Sequence, residues 1–298
     1  PPERRTEKLA LDDGDHLWLH HAGPEPGPGQ NRVILLHGLS GCADSHYMVG
    51  LQRVLAEQGI ASTVMNARGA FQPNHRARSY HAGETGDLDE LIRRLHERDP
   101  AASLLPVGVS LGGSRLLNWL ADGGHPAVPT AVAISVPLNL YAGSLRLDQG
   151  LSRIYRNHLL KQLVAQQQAK RRHLRQAAPD EAERHEALGP LTGIRNFRDF
   201  DNRVVAPLHG FRDALDYYER ASAGPRLPAI TTPTRLIQAA DDPFMTAECL
   251  PDNQQLGNKV TLEASHRGGH VGFLQGSPLK PRFWLEQRIP QYLADWIA

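Results

Sequence analysis

Two cysteines, Cys42 and Cys249, are all that 298 residues provide. Two thiols make neither a disulfide framework nor a zinc site; neither a metal nor a cofactor is expected for this chain. Excess charge of one sign is missing too: 33 Lys and Arg stand against 32 Asp and Glu, a formal net charge of +1. A nucleic-acid-binding domain normally carries clear basic excess, so nucleic acid is not an expected partner. No stretch approaches the roughly 18 apolar residues of a membrane span, and the mean hydropathy is −0.43. The opening Pro1-Pro2-Glu3-Arg4-Arg5 precedes no apolar h-region, so no signal peptide is expected. These absences together lead us to expect a soluble, cytoplasmic globular protein.

What is present is an alternation of two periodicities. The first 30 residues read as a β-hairpin around the turn Asp12-Asp13-Gly14-Asp15, followed by a Pro/Gly connector at 22–30. Calcium ligation by those acids is the weaker reading, because their spacing fails the EF-hand pattern. Val33-Ile34-Leu35-Leu36 is a continuous apolar run, as expected of a strand buried on both faces. A helical pattern (Tyr47, Leu51, Val54, Leu55) follows, then a strand over 61–65 and helical spacing at Leu88, Leu91, Ile92 and Leu95. Further strands are expected at 104–109, 131–136, 234–238 and 260–262, and a last helix at 282–297. Strand–helix alternation of this kind means a mostly parallel sheet with crossover helices, an α/β fold.

The alternation breaks over 139–228. We read that span as a helical, cap-like insertion within a single domain covering 1–298. Residues 151–185 carry eight Lys or Arg against three acids. Peripheral contact of this basic stretch with anionic lipid is one reading; a solvated helix surface is the plainer one.

Gly108-Val109-Ser110-Leu111-Gly112 fits the nucleophile-elbow pattern G-x-S-x-G. A serine on a sharp turn between strand and helix needs glycine on both sides, because side chains there would collide with the backbone. The context agrees: an apolar strand precedes Ser110 and helix formers follow it. A serine nucleophile needs a base, and the base needs an orienting acid. In chain order the acid comes next, where strand 234–238 runs into Ala239-Ala240-Asp241-Asp242-Pro243. Asp242 is the first choice for that acid and Asp241 the alternate. The base is expected after the last strand, at His270 in Gly268-Gly269-His270-Val271-Gly272, with His266 as competitor. For the oxyanion, backbone N–H groups are needed. Leu111, directly after the nucleophile, and Leu39, in His37-Gly38-Leu39-Ser40-Gly41, are the candidates. Cys42 lacks an elbow and reads as a small buried residue.

These motifs, with Asn66-Ala67-Arg68-Gly69, Tyr80-His81-Ala82-Gly83-Glu84-Thr85, Arg153-Ile154-Tyr155-Arg156, His209-Gly210-Phe211, Asp216-Tyr217-Tyr218 and Asp242-Pro243-Phe244, give the chain its resemblance to a known family. It resembles the YheT-like branch of the α/β-hydrolases, which includes animal abhydrolase-domain lipases and yeast medium-chain ester synthase/esterases. One departure is Ser40-Gly41-Cys42, where relatives often carry Glu-Gly-Ser. The resemblance places the family's triad on Ser110, Asp242 and His270. It implies a serine hydrolase of carboxylic esters, with medium-chain or longer acyl esters or lipids as substrates. An acyltransferase using the same triad and a non-catalytic lipid-binding protein are the alternatives. The Tyr80–Thr85 stretch is expected to brace loops near the site, with Glu84 paired to Arg68 or Arg78.

Overall fold

The computed structural model describes residues 2–277 and 280–297. Eight strands form its main sheet: β1 (Arg4–Ala10), β2 (His16–Ala22), β3 (Arg32–Leu36), β4 (Ser62–Asn66), β5 (Leu104–Val109), β6 (Ala131–Ile134), β7 (Thr234–Ala239) and β8 (Val260–Ser265). Their spatial order is β1-β2-β4-β3-β5-β6-β7-β8. The β1–β2 hairpin joins the sheet antiparallel through β4, and every pair from β4–β3 to β7–β8 is parallel. The acidic turn of that hairpin receives the Arg68 guanidinium: Nη1 donates to Asp13 Oδ2 at 2.7 Å and Asp15 Oδ2 at 3.1 Å.

Strand alternation sorts the core into two layers. Val33 and Leu35 of β3 pack with Met48, Leu51 and Leu55 of α1 (His46–Glu57) and with Ile289 and Leu293 of a late helix, Trp284–Ile297. Ile34 and Leu36 face the other way, onto Leu88 and Leu91 of α2 (Gly86–Arg98) and Leu116 and Leu120 of α3 (Leu111–Ala121).

Between β6 and β7 the chain is helical, within the expected span. It forms α4 (Leu140–Leu147), α5 (Ser152–Ala177), α6 (Pro179–Glu186), α7 (Phe197–Phe200), a π-helical turn Asp201–Val205, α8 (Ala206–His209) and α9 (Ala214–Ala221). Leu160, Leu163 and Leu174 of α5 join one apolar cluster with Ala77, Ala82 and Leu111 from the sheet side. Polar ties reinforce the seam: Ala82 N donates to Tyr217 Oη at 3.0 Å, and Ser152 Oγ to the Pro243 carbonyl at 2.6 Å.

Part of the basic stretch is withdrawn from solvent. Lys170 is buried, its Nζ donating to the carbonyls of Ala77 (3.3 Å) and Arg78 (2.7 Å) and to Ser79 Oγ (3.0 Å). Arg171 donates to two carbonyls of the insertion, Arg156 pairs with Asp148 and Arg175 with Glu186. Arg153, Lys161, Arg172, Arg175 and Arg184 are exposed.

Several element boundaries differ from expectation, among them the last strand of the main sheet, which runs on to Ser265. The sixth strand stops at Ile134, because Ser135 turns to φ 51°. The last helix starts at Trp284, preceded by an antiparallel hairpin of Leu274–Ser277 and Lys280–Phe283. All eight strand residues of that hairpin are exposed, so neither face imposes the apolar alternation that sequence reading depends on.

Candidate active site

Ser110 sits between β5 and α3 with φ 55° and ψ −121°, a conformation that L side chains rarely adopt. The sequence forces it there with two glycines. A Cβ on Gly108 would come within 2.6 Å of the Gly112 carbonyl oxygen, and one on Gly112 would strike the Leu36 carbonyl oxygen. Ser110 N donates to the Ile134 carbonyl at 2.8 Å, which fastens the turn to the neighbouring strand. Strain of this kind persists only where the surroundings impose it.

Ser110 Oγ lies 2.8 Å from His270 Nε2, and His270 Nδ1 lies 2.8 Å from Asp242 Oδ2. With Nδ1–H directed at the carboxylate, Nε2 is left to accept the serine proton. The Asp242 side chain is almost completely buried, and its other oxygen accepts from Phe244 N at 2.8 Å. The Phe244 ring stacks on the imidazole, 4.0 Å between centroids and 12° from parallel.

The alternatives separate cleanly. Asp241 does not approach His270; its Oδ1 accepts from the N–H groups of Gly268 (2.8 Å) and Gly269 (2.9 Å), holding the loop that carries the histidine. His266 is exposed at the turn after β8. Cys42 is a free, half-buried thiol, more open than a core residue.

Leu39 and Leu111 line the same cavity as Ser110. Among the described residues neither backbone N–H donates to a protein acceptor. The loop bearing Leu39 is held by side chains around it. His37 Nε2 accepts from Ala67 N at 3.0 Å while its Nδ1–H donates to the Gly38 carbonyl at 2.8 Å. Burial pushes this imidazole down to about 4, so it stays neutral and keeps that tautomer. Gly38 N donates to Tyr47 Oη and Ser40 N to Tyr80 Oη, both at 2.9 Å. Ser40 Oγ donates to Gln162 Oε1 of α5 at 2.8 Å.

Tyr80 thus braces the site, as expected of its stretch, but the ion pairs differ from expectation. Glu84 pairs with Arg115 of α3 (2.5 Å), while Arg68 and Arg78 both reach Asp87. Arg115 is buried in the middle of a helix that holds no other charge; such a charge needs a buried partner, and the Glu84 carboxylate is the one beside it.

The cavity has a volume of about 230 Å³. Most of its wall is apolar and comes from the insertion, with Leu140, Leu147, Leu159, Leu163, Phe197 and Val204. Asp201 also lines it and was not legible beforehand, because the π-turn that presents it leaves no periodic signal. Among the described residues no group of three His, Cys, Asp or Glu side chains is placed to hold a metal ion.

The profile of the alpha/beta hydrolase fold family matches residues 31–277. YheT of Escherichia coli, provisionally named an esterase, is 37% identical over 98% of this chain and 85% of its own length. Human phospholipase ABHD3 is 29% identical over 98% of this chain and 72% of its own. Among solved structures, the Pyrococcus furiosus esterase Pf2001 superposes with a TM-score of 0.61 at 18% identity, covering 99% of this chain and 92% of the other.

Proposed function

The chain belongs to the α/β-hydrolase family, in its YheT-like branch, and from that membership we propose that it is a serine hydrolase of carboxylic esters with medium-chain or longer acyl groups. The observation that carries the reading is the continuous chain of hydrogen bonds from Ser110 through His270 to Asp242. Ser110 Oγ attacks the ester carbonyl as His270 Nε2 takes its proton. Asp242 keeps the ring in the required tautomer and stabilises the imidazolium that forms. Leu39 and Leu111 N–H groups receive the developing oxyanion, the charge that dominates acyl-transfer barriers. His270 then protonates the departing alcohol, and water attacks the acyl-enzyme by the same steps in reverse. The insertion's leucines and phenylalanines take up the acyl chain by burying it from water.

Contact with a lipid surface is the finer part of the proposal. No helix among the described residues is long and apolar enough to cross a membrane. At the α4–α5 corner, however, Leu151 is 80% and Ile154 66% exposed, beside exposed Tyr141, Leu145 and Tyr155. Tyr155 lies 5.4 Å from Phe244, which stacks on His270, so this apolar corner leads directly to the site. Arg146 and Arg153 flank it, and anionic headgroups are the surface they suit.

Labelling with a fluorophosphonate tests the central reading. The wild type is expected to label and Ser110→Ala not to. A panel of p-nitrophenyl esters of graded length reads the acyl preference. Absent labelling of the wild type overturns the assignment.

A further inference from the structure

One carboxylate in the cavity has no part in the reaction just described. Asp201 opens the π-helical turn Asp201–Val205 and is 7% exposed. Insertion of a π-turn into a helical run rotates the residues around it, and such turns concentrate at functional sites. Here the rotation puts Phe200, Asp201, Val204 and Val205 on the cavity wall together. Asp201 Oδ2 accepts from Tyr218 Oη at 2.6 Å. Among the described residues Oδ1 has no donor, and no Lys, Arg or His lies within ion-pair distance. Besides His270, two imidazoles line the cavity, and neither serves as a counter-ion. Burial pushes His81 down to about 3 and His209 to about 2, so both are neutral.

A carboxyl group in apolar surroundings costs stability unless something donates to it. Tyr218 satisfies one oxygen only. The other faces the space that a substrate fills, and an ester group offers no donor of its own. We propose that Asp201 and Tyr218 form a polar subsite of the ester pocket that receives a hydroxyl group of the substrate, carried on the alcohol portion as in a monoglyceride or on the acyl chain. A hydroxyl group suits this site better than an ammonium, which would have to shed its hydration shell in a largely apolar cavity. Burial raises the Asp201 carboxyl to about 7, so the group accepts a hydrogen bond from the substrate hydroxyl when ionised and can donate one when protonated. The proposal rests on the ester-hydrolase reading of the cavity.

Its test is a binding measurement on Ser110→Ala protein, which needs no turnover. Calorimetry compares 1-octanoylglycerol with propyl octanoate, and methyl 8-hydroxyoctanoate with methyl octanoate. The two pairs separate a hydroxyl group on the alcohol from one on the acyl chain. In at least one pair the hydroxylated ester is expected to bind about tenfold tighter, the scale of one hydrogen bond to a carboxylate. Asp201→Leu is expected to bring that ratio close to one, and Asp201→Ala, which adds no bulk, to do the same. A carboxyl serving only to brace Tyr218 would weaken all four esters alike and leave the ratio unchanged, and that result overturns the proposal. Equal binding within both pairs overturns it as well, as does tighter binding of octanoylcholine than of either hydroxylated ester. Fluorophosphonate labelling reports separately on Ser110, so failure of the hydrolase reading and failure of the subsite are distinguishable.

Discussion

Phe244 and His270 stack face to face at 4.0 Å, and Phe244 N also binds the carboxylate that orients the same ring. One residue therefore fixes the imidazole plane and its acid together. Replacing the ring by Phe244→Leu keeps the backbone bond and removes the stack. An aromatic contact of this type contributes about 0.5–1.5 kcal/mol. The expected outcome is a loss of about three- to tenfold in kcat/KM on a p-nitrophenyl ester, with Tm nearly unchanged.

Asp241 and Asp242 are adjacent in sequence and separable by experiment. Asp242→Asn removes the acceptor that sets the His270 tautomer and is expected to lower kcat by about 10³–10⁴. Asp241→Ala instead frees the Gly268 and Gly269 N–H groups. Its effect is expected to be a drop in Tm with about a tenfold loss of rate. Steady-state kinetics beside a thermal melt distinguishes the two, and equal rate losses would contradict the division of roles.

Such pairs mark how far the sequence could be read. Ser110 and His270 were legible because an elbow and a loop after the last strand are local patterns. The partner of Glu84 was not, because Arg115 lies 31 positions away and pairing is settled by what else is buried. Lys170 reads as one more charge in a basic run, and only the turn of α5 against residues 77–79 shows it facing carbonyls. The hairpin before the last helix was invisible because it buries neither face.

Lys170 has a pH signature. Burial pushes its amine down to about 7 from 10.5. Between those values the folded protein binds fewer protons here than the unfolded chain, so this group's contribution to stability rises with pH across the window. Below pH 7 the full cost of a buried ammonium is present. The Tm difference between wild type and Lys170→Met is expected to move in favour of the wild type from pH 6 to pH 9. A pH-independent difference would refute this.

The shared cluster of Leu160, Leu163, Leu174, Ala82 and Leu111 predicts that insertion and sheet unfold as one unit. All four tryptophans lie outside residues 139–228, so fluorescence reports the sheet while far-UV dichroism draws heavily on the insertion's helices. Coincident melting curves are expected; earlier loss of helical signal would mean two units.

The α4–α5 corner makes the last prediction. Leu151→Ser with Ile154→Ser removes the two most exposed apolar side chains there. Co-sedimentation with phosphatidylglycerol vesicles is expected to fall several-fold, while hydrolysis of a soluble short-chain ester stays within about twofold. Wild-type protein that does not sediment, or sediments independently of salt, would exclude the contact.

The bond from Ser40 Oγ to Gln162 joins the loop bearing Leu39 to a helix that also lines the cavity. Under the proposed mechanism this bond links rate to selectivity mechanically. Any drift in α5 that widens or narrows the pocket also tilts a backbone amide beside the reacting carbonyl. Variants selected for a new chain length would be expected to need compensating changes around residues 38–41, a constraint on how lineages with this arrangement can diversify their substrates.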